Sequence, residues 1–217
     1  MQAVVVLGDV KGSRRLQRRP AVAAKVRTGL ADLNRAHRAA LRGAFDVQKG
    51  IDEFGGVVRP GADLGGLLLD AWERFHPIAV RFAVVRGDLD VAPAAPARRL
   101  PSVRYFDGPA FHEAAQALDR ARRQERLVEL RLGGDPALEA LTAELANALY
   151  LHVLAWTPRQ LQVVRAYRAA GNQEAVGRRL RIAQSTVSWA LRRTHARAVG
   201  PGFVRLRDSL NALARGP

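Results

Sequence analysis

From Thr157 onward the chain is interrupted so often by capping and stop residues that only short helices fit between the breaks. Thr157 reads as an N-cap with Pro158 at the first helical position, and Gly171 as a C-terminal stop. Asn172 then caps a second helix, Gln173 to Leu180. After Arg181-Ile182-Ala183-Gln184, a third helix begins at Ser185. Val176 and Leu180 share a face, Ile182 plugs the turn, and Val187 with Leu191 points back into a core. Ala175 and Gly177 are small where two helices must cross closely. This is the spacing of a helix-turn-helix, with the third helix as the reader of double-stranded DNA.

The charge distribution agrees. The chain carries +15 overall, and residues 157–217 hold twelve Arg against Glu174 and Asp208, so this segment supplies +10 of it. A basic segment of this kind favours polyanions. Gln184, Ser185, Thr186, Ser188, Trp189, Arg192 and Arg193 fall on the outward side of the third helix, with Arg197 just beyond. Gln, Ser and Thr near a helix start reach base edges, while the arginines suit phosphates or guanine. The plainer alternative is a corner of two helices with a solvated basic face. Arg181 stands where many such turns carry a glycine that adopts a left-handed conformation. Two readings stand for Trp189: packing on the final helix, or contact with DNA.

The first 134 residues read differently. Residues 3–9 form a buried strand, and Pro20 starts a helix running to about Arg42. Phe45–Lys49 and Phe54–Val58 form a hairpin around Gly50-Ile51-Asp52-Glu53. A helix from about Ala62 to Phe75 and a strand from Ile78 to Val85 follow. A Pro- and Ala-rich loop covers 92–101, then come a helix from Gly108 to Arg122 and an edge strand from Arg126 to Leu132. The order β-α-β-β-α-β, then α-β, predicts an α+β fold: a ferredoxin-like antiparallel sheet of four or five strands with helices on one face. Gly133-Gly134-Asp135-Pro136 closes it. The expected domains are 1–134, a connecting helix over 135–156, and the helix-turn-helix domain over 157–217.

Three loops at strand ends carry polar residues able to converge: Gly8 to Arg14, the hairpin tip Gly50 to Phe54, and Asp107 to His112. In a β-α-β-β arrangement the first strand and the hairpin are neighbours, so Asp9 and Asp52 can face each other and bind Mg²⁺ through oxygen. Lys11, Gly12 and Ser13 would then hold phosphate through charge and backbone N–H groups. Such a site permits nucleotide binding or phosphoryl transfer. Taken singly, Asp9 is also a polar strand cap, and Asp52-Glu53 a turn where acids are common.

These residues resemble known families. Asp9-Val10-Lys11-Gly12 looks like the strand-end metal-binding segment of class III nucleotide cyclases, which implies a metal site at Asp9, Val10 and Asp52. Gly50-Ile51-Asp52-Glu53-Phe54 resembles the signature loop of GGDEF-type cyclases with one Gly replaced by Ile, which implies nucleotide contacts at Gly50 and Glu53. Gly108 to Gln116 resembles the cyclase helix, but His112 and Gln116 stand where the family's transition-state Asn and Arg would be. Loss of that Arg removes a cation aimed at developing phosphate charge. The arrangement of the full chain, including Trp156-Thr157-Pro158-Arg159-Gln160 and the helix-turn-helix, is similar to the SatD family. That family's Gly-Asp-Glu-Phe-Gln-Gly is here Ile51-Asp52-Glu53-Phe54-Gly55-Gly56. The resemblance implies metal-nucleotide binding ahead of turnover.

The resulting expectation is a DNA-binding transcriptional regulator with a nucleotide-sensing or scaffold N-terminal domain. The alternatives are a Mg²⁺-dependent nucleotide-triphosphate enzyme tethered to DNA, and a sequence-independent DNA binder. The chain has no cysteine, which excludes disulfides and thiolate metal sites. No stretch approaches the roughly 18 apolar residues of a membrane helix, so a cytoplasmic protein with no membrane partner is expected. Leu138, Leu141, Leu145, Leu149 and His152 lie at helical spacing, as a stripe that packs on a domain or forms a homodimer interface.

Overall fold

The computed structural model describes residues 1–12, 19–50, 52–91 and 100–216. Ser13, Arg14, Ile51 and most of the Pro- and Ala-rich loop lie outside the described residues. Five strands, β1 (Gln2–Val10), β2 (Leu41–Lys49), β3 (Glu53–Val58), β4 (Val80–Asp88) and β5 (Val128–Arg131), form one sheet in the order β2-β3-β1-β4-β5. The first four are mutually antiparallel where they pair. Their order is that of the split β-α-β arrangement, so the fold class is α+β as expected.

Three details correct the sequence reading. β5 joins β4 in parallel, because the chain crosses over through a helix rather than a hairpin. The first helix stops at Ala36 rather than Arg42: Leu41 is fully buried and pairs with Val58 at the start of β2, so strand pairing overrides the helical pattern. Helices also cover both faces, not one. α1 (Arg19–Ala36) and α2 (Leu64–Phe75) lie on the face of Val4, Val6 and Val10, while α3 (Pro109–Arg123) packs through Ala110, Ala114 and Ala117 on the face of Ala3, Val5 and Leu7. Double coverage explains why Ala3 to Val10 are all buried, an unbroken run rather than an alternating one.

The remaining helices are α4 (Pro136–Leu154), α5 (Pro158–Ala170), α6 (Gln173–Leu180), α7 (Gln184–Arg193) and α8 (Ala196–Arg215). They extend the core on the α1/α2 face: one continuous cluster runs from Val4 through Trp72, Tyr150, Val164 and Leu191 to Leu213. At its centre the rings of Trp72 and Tyr150 stack, 4.6 Å apart and 6° from parallel. Each such ring contributes about 1.5–3 kcal/mol by burial. The Tyr150 hydroxyl accepts from Val80 N at 3.1 Å, and burial pushes its pKa well above the usual phenol range.

Two side chains tie the layers. Asn147 of α4 accepts from the amides of Leu127 and Val128 at 2.7 and 3.1 Å and donates to Val128 O at 2.8 Å, which satisfies the outer edge of β5. Asp63 caps α2 by accepting from Gly66 N at 2.9 Å, and also accepts from Arg207 Nε at 3.0 Å and Asn211 at 2.8 Å on α8. Burial alone would raise the Asp63 carboxyl, but these hydrogen bonds outweigh it and hold its pKa at about 2. The two helices meet at Gly65, where a Cβ would fall 2.5 Å from the Cα of Arg207. The leucine stripe of α4 divides: Leu149 is buried and Leu145 packs against the core, while Leu138 and Leu141 stay exposed.

Candidate nucleic-acid interface and the carboxylate cluster

The three short helices begin and end where their capping residues dictate. Thr157 and Gln160 exchange hydrogen bonds at the start of α5, the Gln160 amide donating to Thr157 Oγ1 at 3.2 Å and the Thr157 amide to Gln160 Oε1 at 2.8 Å. Gly171 ends α5 in the left-handed region, and Asn172 caps α6 by accepting from Ala175 N at 2.8 Å. Arg181, between α6 and α7, takes the left-handed conformation (φ 54°, ψ 50°) for which glycine is better suited. The Ile182 amide donates to Gly177 O at 3.0 Å, closing the turn so tightly that a Cβ on Gly177 would sit 2.9 Å from Ile182 O.

That closure fixes the two sides of α7. Val187, Ala190 and Leu191 are buried against α5 and α6. Gln184, Ser185, Thr186, Trp189, Arg192 and Arg193 are exposed, Ser188 is half-buried, and Arg197 is exposed on the first turn of α8. Of the eight residues expected at a DNA surface, seven thus lie on α7 and Arg197 lies on α8. Gln184 donates from Nε2 to Gln173 Oε1 at 2.7 Å, a contact that sequence reasoning did not single out. Trp189 is 54% exposed, and the Arg193 guanidinium lies 5.8 Å from its ring centroid. A planar cation over an indole is a favourable pairing.

On the first strand, Asp9 is buried on the α3 face of β1 and lies opposite Glu53 in the β1–β3 register. Both carboxylates meet Arg122, the next-to-last residue of α3. Its Nη2 is 3.1 Å from Asp9 Oδ1 and 2.7 Å from Glu53 Oε1, and Arg81 Nη1 is 3.4 Å from Asp9 Oδ2. The hydrogen bond to Asp9 raises the Arg122 guanidinium above its ordinary range, burial opposing and Glu53 adding to the rise. Asp52 is half-buried at the hairpin tip, and its carbonyl accepts from Val10 N at 3.1 Å. Lys11 N donates to Ala79 O at 2.8 Å, and Gly12 and Gly50 both have positive φ. Glu53 from the hairpin and Asp119 from α3 itself thus share the Arg122 guanidinium with Asp9. Among the described residues no group of three His, Asp or Glu side chains is arranged to hold a metal ion.

The third loop does not join the other two. Asp90 N donates to Asp107 O at 3.0 Å, and Leu89 N to Met1 O at 2.9 Å, so the loop opening α3 sits by the start of β1. Asp9 is at the strand's far end, roughly 25 Å away at strand rise. The cause is the antiparallel pairing of β4 with β1, which carries the chain away from Asp9 before α3 begins. His112 and Gln116 are exposed, beside a shallow depression with Arg120 and Arg131. Arg122, some 15 Å further along the helix axis, is the residue of α3 that reaches the carboxylates. Sequence reasoning missed it; the available signal was a basic residue ending a helix that packs on the Asp9 strand.

No protein-family model and no characterised protein matches the sequence. The chain is similar to two structures of a bacterial light-regulated adenylyl cyclase, at 9% and 10% identity, each with a TM-score of 0.44 and covering 60% of this chain. The chain spans 43% of the length of that cyclase. It is also similar to a regulator of polyketide synthase expression from Bifidobacterium adolescentis, at 14% identity and a TM-score of 0.28, covering 99% of this chain and 80% of that one. Among the described residues no helix is long and apolar enough to cross a membrane.

Proposed function

We propose that this chain is a cytoplasmic transcriptional regulator that binds double-stranded DNA through α6 and α7, with α7 in the major groove. The observation that carries the reading is the division of α7 into a buried side, Val187, Ala190 and Leu191, and an exposed side of amide, hydroxyl and guanidinium groups. Gln184, Ser185 and Thr186 at the helix start supply hydrogen-bonding groups of the kind that read base edges, and Arg192, Arg193 and Arg197 neutralise phosphates or pair with guanine. Domain-wise, residues 157–217 carry the reader, 135–156 the connecting helix, and 1–134 a scaffold. Exposed Leu138 and Leu141 on α4 supply the apolar contact through which two copies would pair to span two half-sites. A scaffold role for the sheet is favoured over Mg²⁺-dependent nucleotide chemistry, because Arg81 and Arg122 already occupy the carboxylate oxygens of Asp9.

Selection from randomised duplexes, followed by affinity measurement over a salt series, tests the reading. The double substitution Gln184→Ala/Arg192→Ala should erase preference among sequences while weak binding persists. Arg197→Ala should weaken binding to every sequence alike and reduce the salt slope by about 1. An unchanged sequence preference in the double variant would overturn the assignment of α7 as the reader.

A further inference from the structure

A cavity of about 500 Å³ opens where α5, α8 and α2 meet. Its size falls in the range of small-molecule sites. The walls are apolar: Leu69 from α2, Trp156 and Val164 near and on α5, and Val199 and Phe203 on α8. The indole N–H of Trp156 is buried in this wall with no acceptor among the described residues. Gly200 also lines the cavity, and a Cβ built there meets nothing within 4 Å, so the space in front of it is open.

The rim carries one sign of charge. Arg168, Arg197 and Arg207 line it, and no acidic residue does. Arg168 is engaged by Glu73 and Arg207 by Asp63. Arg197 makes no hydrogen bond or ion pair among the described residues. An apolar chamber beside an unpaired guanidinium suits a molecule with an apolar body and a single anionic end: the body is desolvated against the wall that Trp156, Val199 and Phe203 form, and the anion meets the guanidinium as a charge-assisted, bidentate pair. We propose that this cavity is a binding site for an amphipathic organic anion, an aliphatic or aryl-aliphatic carboxylate, with Arg197 as the residue that holds the carboxylate. Arg197 also belongs to the proposed DNA surface, so occupancy of the cavity would compete for that cation; this consequence alone rests on the DNA-binding reading.

The test uses the full chain without DNA, so its outcome is independent of that reading. Decanoate, 4-phenylbutyrate and the neutral decanol are titrated below micellar concentration, followed by calorimetry and by the melting temperature, which a ligand of the native state raises. At least one carboxylate should bind, and decanoate should bind about tenfold or more tightly than decanol, as a charge-assisted pair requires. Gly200→Leu should fill the cavity, keep the circular dichroism of the parent and abolish binding. The exposed substitution Arg197→Gln should bring decanoate down to the affinity of decanol. Equal binding of decanoate and decanol by the parent chain, decanoate binding that survives Gly200→Leu, or no binding by either carboxylate would each overturn the proposal.

Discussion

Arg122 donates through Nε to Asp9 Oδ2 at 3.2 Å across 113 residues of sequence, joining the last turn of α3 to the end of the central strand. Asp9 is 7% exposed, and this partner and Arg81 pair with the carboxylate where water is largely excluded. Burying a carboxylate without a partner costs far more than the pair contributes over a hydrophobic replacement.

Arg122→Ala should therefore destabilise the fold by about 2 kcal/mol, less than the full cost of breaking a buried pair because Arg81 remains and Arg122 is partly exposed to solvent. Adding Asp9→Leu to that variant should recover part of the loss, since no unpaired carboxylate is left. Urea denaturation of the parent, the single and the double variant reads this directly. A change under about 0.5 kcal/mol in the single variant, the scale of an ordinary surface substitution, would show that the cluster holds nothing together.

The turn between α6 and α7 offers two substitutions of opposite sign. Arg181 adopts the left-handed region with a full side chain, a conformation that costs roughly 1–2 kcal/mol in a non-glycine residue. Arg181→Gly should stabilise the chain by about 0.5–1 kcal/mol, the gain reduced by glycine's greater freedom when unfolded. Gly177→Ala, four residues earlier, should destabilise by about 1–3 kcal/mol, because its methyl would press on Ile182 O. Thermal melts that rank the two variants in the reverse order would refute the geometry of this turn.

His76 makes the fold sensitive to mild acid. Its ring is buried, and Nε2 lies 2.9 Å from Trp156 O, so the neutral ring donates there. Burial, chiefly, and the nearby Lys25 hold its pKa below the ordinary 6.5, with the bond to Trp156 O and the charge of Glu73 opposing. Below pH 6.5 the unfolded chain takes up a proton that the folded chain resists. Stability should therefore fall as pH drops through that window and stay level above it, by at most about 1.4 kcal/mol per pH unit. Denaturation at pH 7.5, 6.5 and 5.5 (roughly the range over which histidine titrates) should show a shallower loss for His76→Gln than for the parent chain. Equal slopes would exclude His76 as the cause.

What could be read from the sequence was what is encoded locally. The caps at Thr157, Asn172 and Gly171, and the spacing of Val187 and Leu191, lie within one or two turns of what they control. The exposed face of α7 followed from that spacing. The order of strands was reachable too, because the β-α-β-β pattern leaves few arrangements. The end of α1 was not: Leu41 looks like one more apolar position of a helix until Val58 is seen opposite it. The carboxylate cluster was only half legible. Asp9 and the hairpin were brought together as expected, but Arg122 enters from a helix on the face that the predicted fold left bare. The loop before α3 was expected at the wrong end of the sheet, because the antiparallel pairing of β4 with β1 carries the chain away from Asp9 before that helix begins.

The contact between Asp63 and Arg207 spans 144 residues. It also bears on the order in which the chain assembles during synthesis. At ordinary elongation rates Arg207 leaves the ribosome on the order of ten seconds after Asp63. For that interval the sheet can pair and α1 and α3 can dock, but α2 keeps an apolar flank uncovered until the last helix arrives to close over it. The strands and early helices are thus a waiting platform, and α8 closes over it only in the final act of folding.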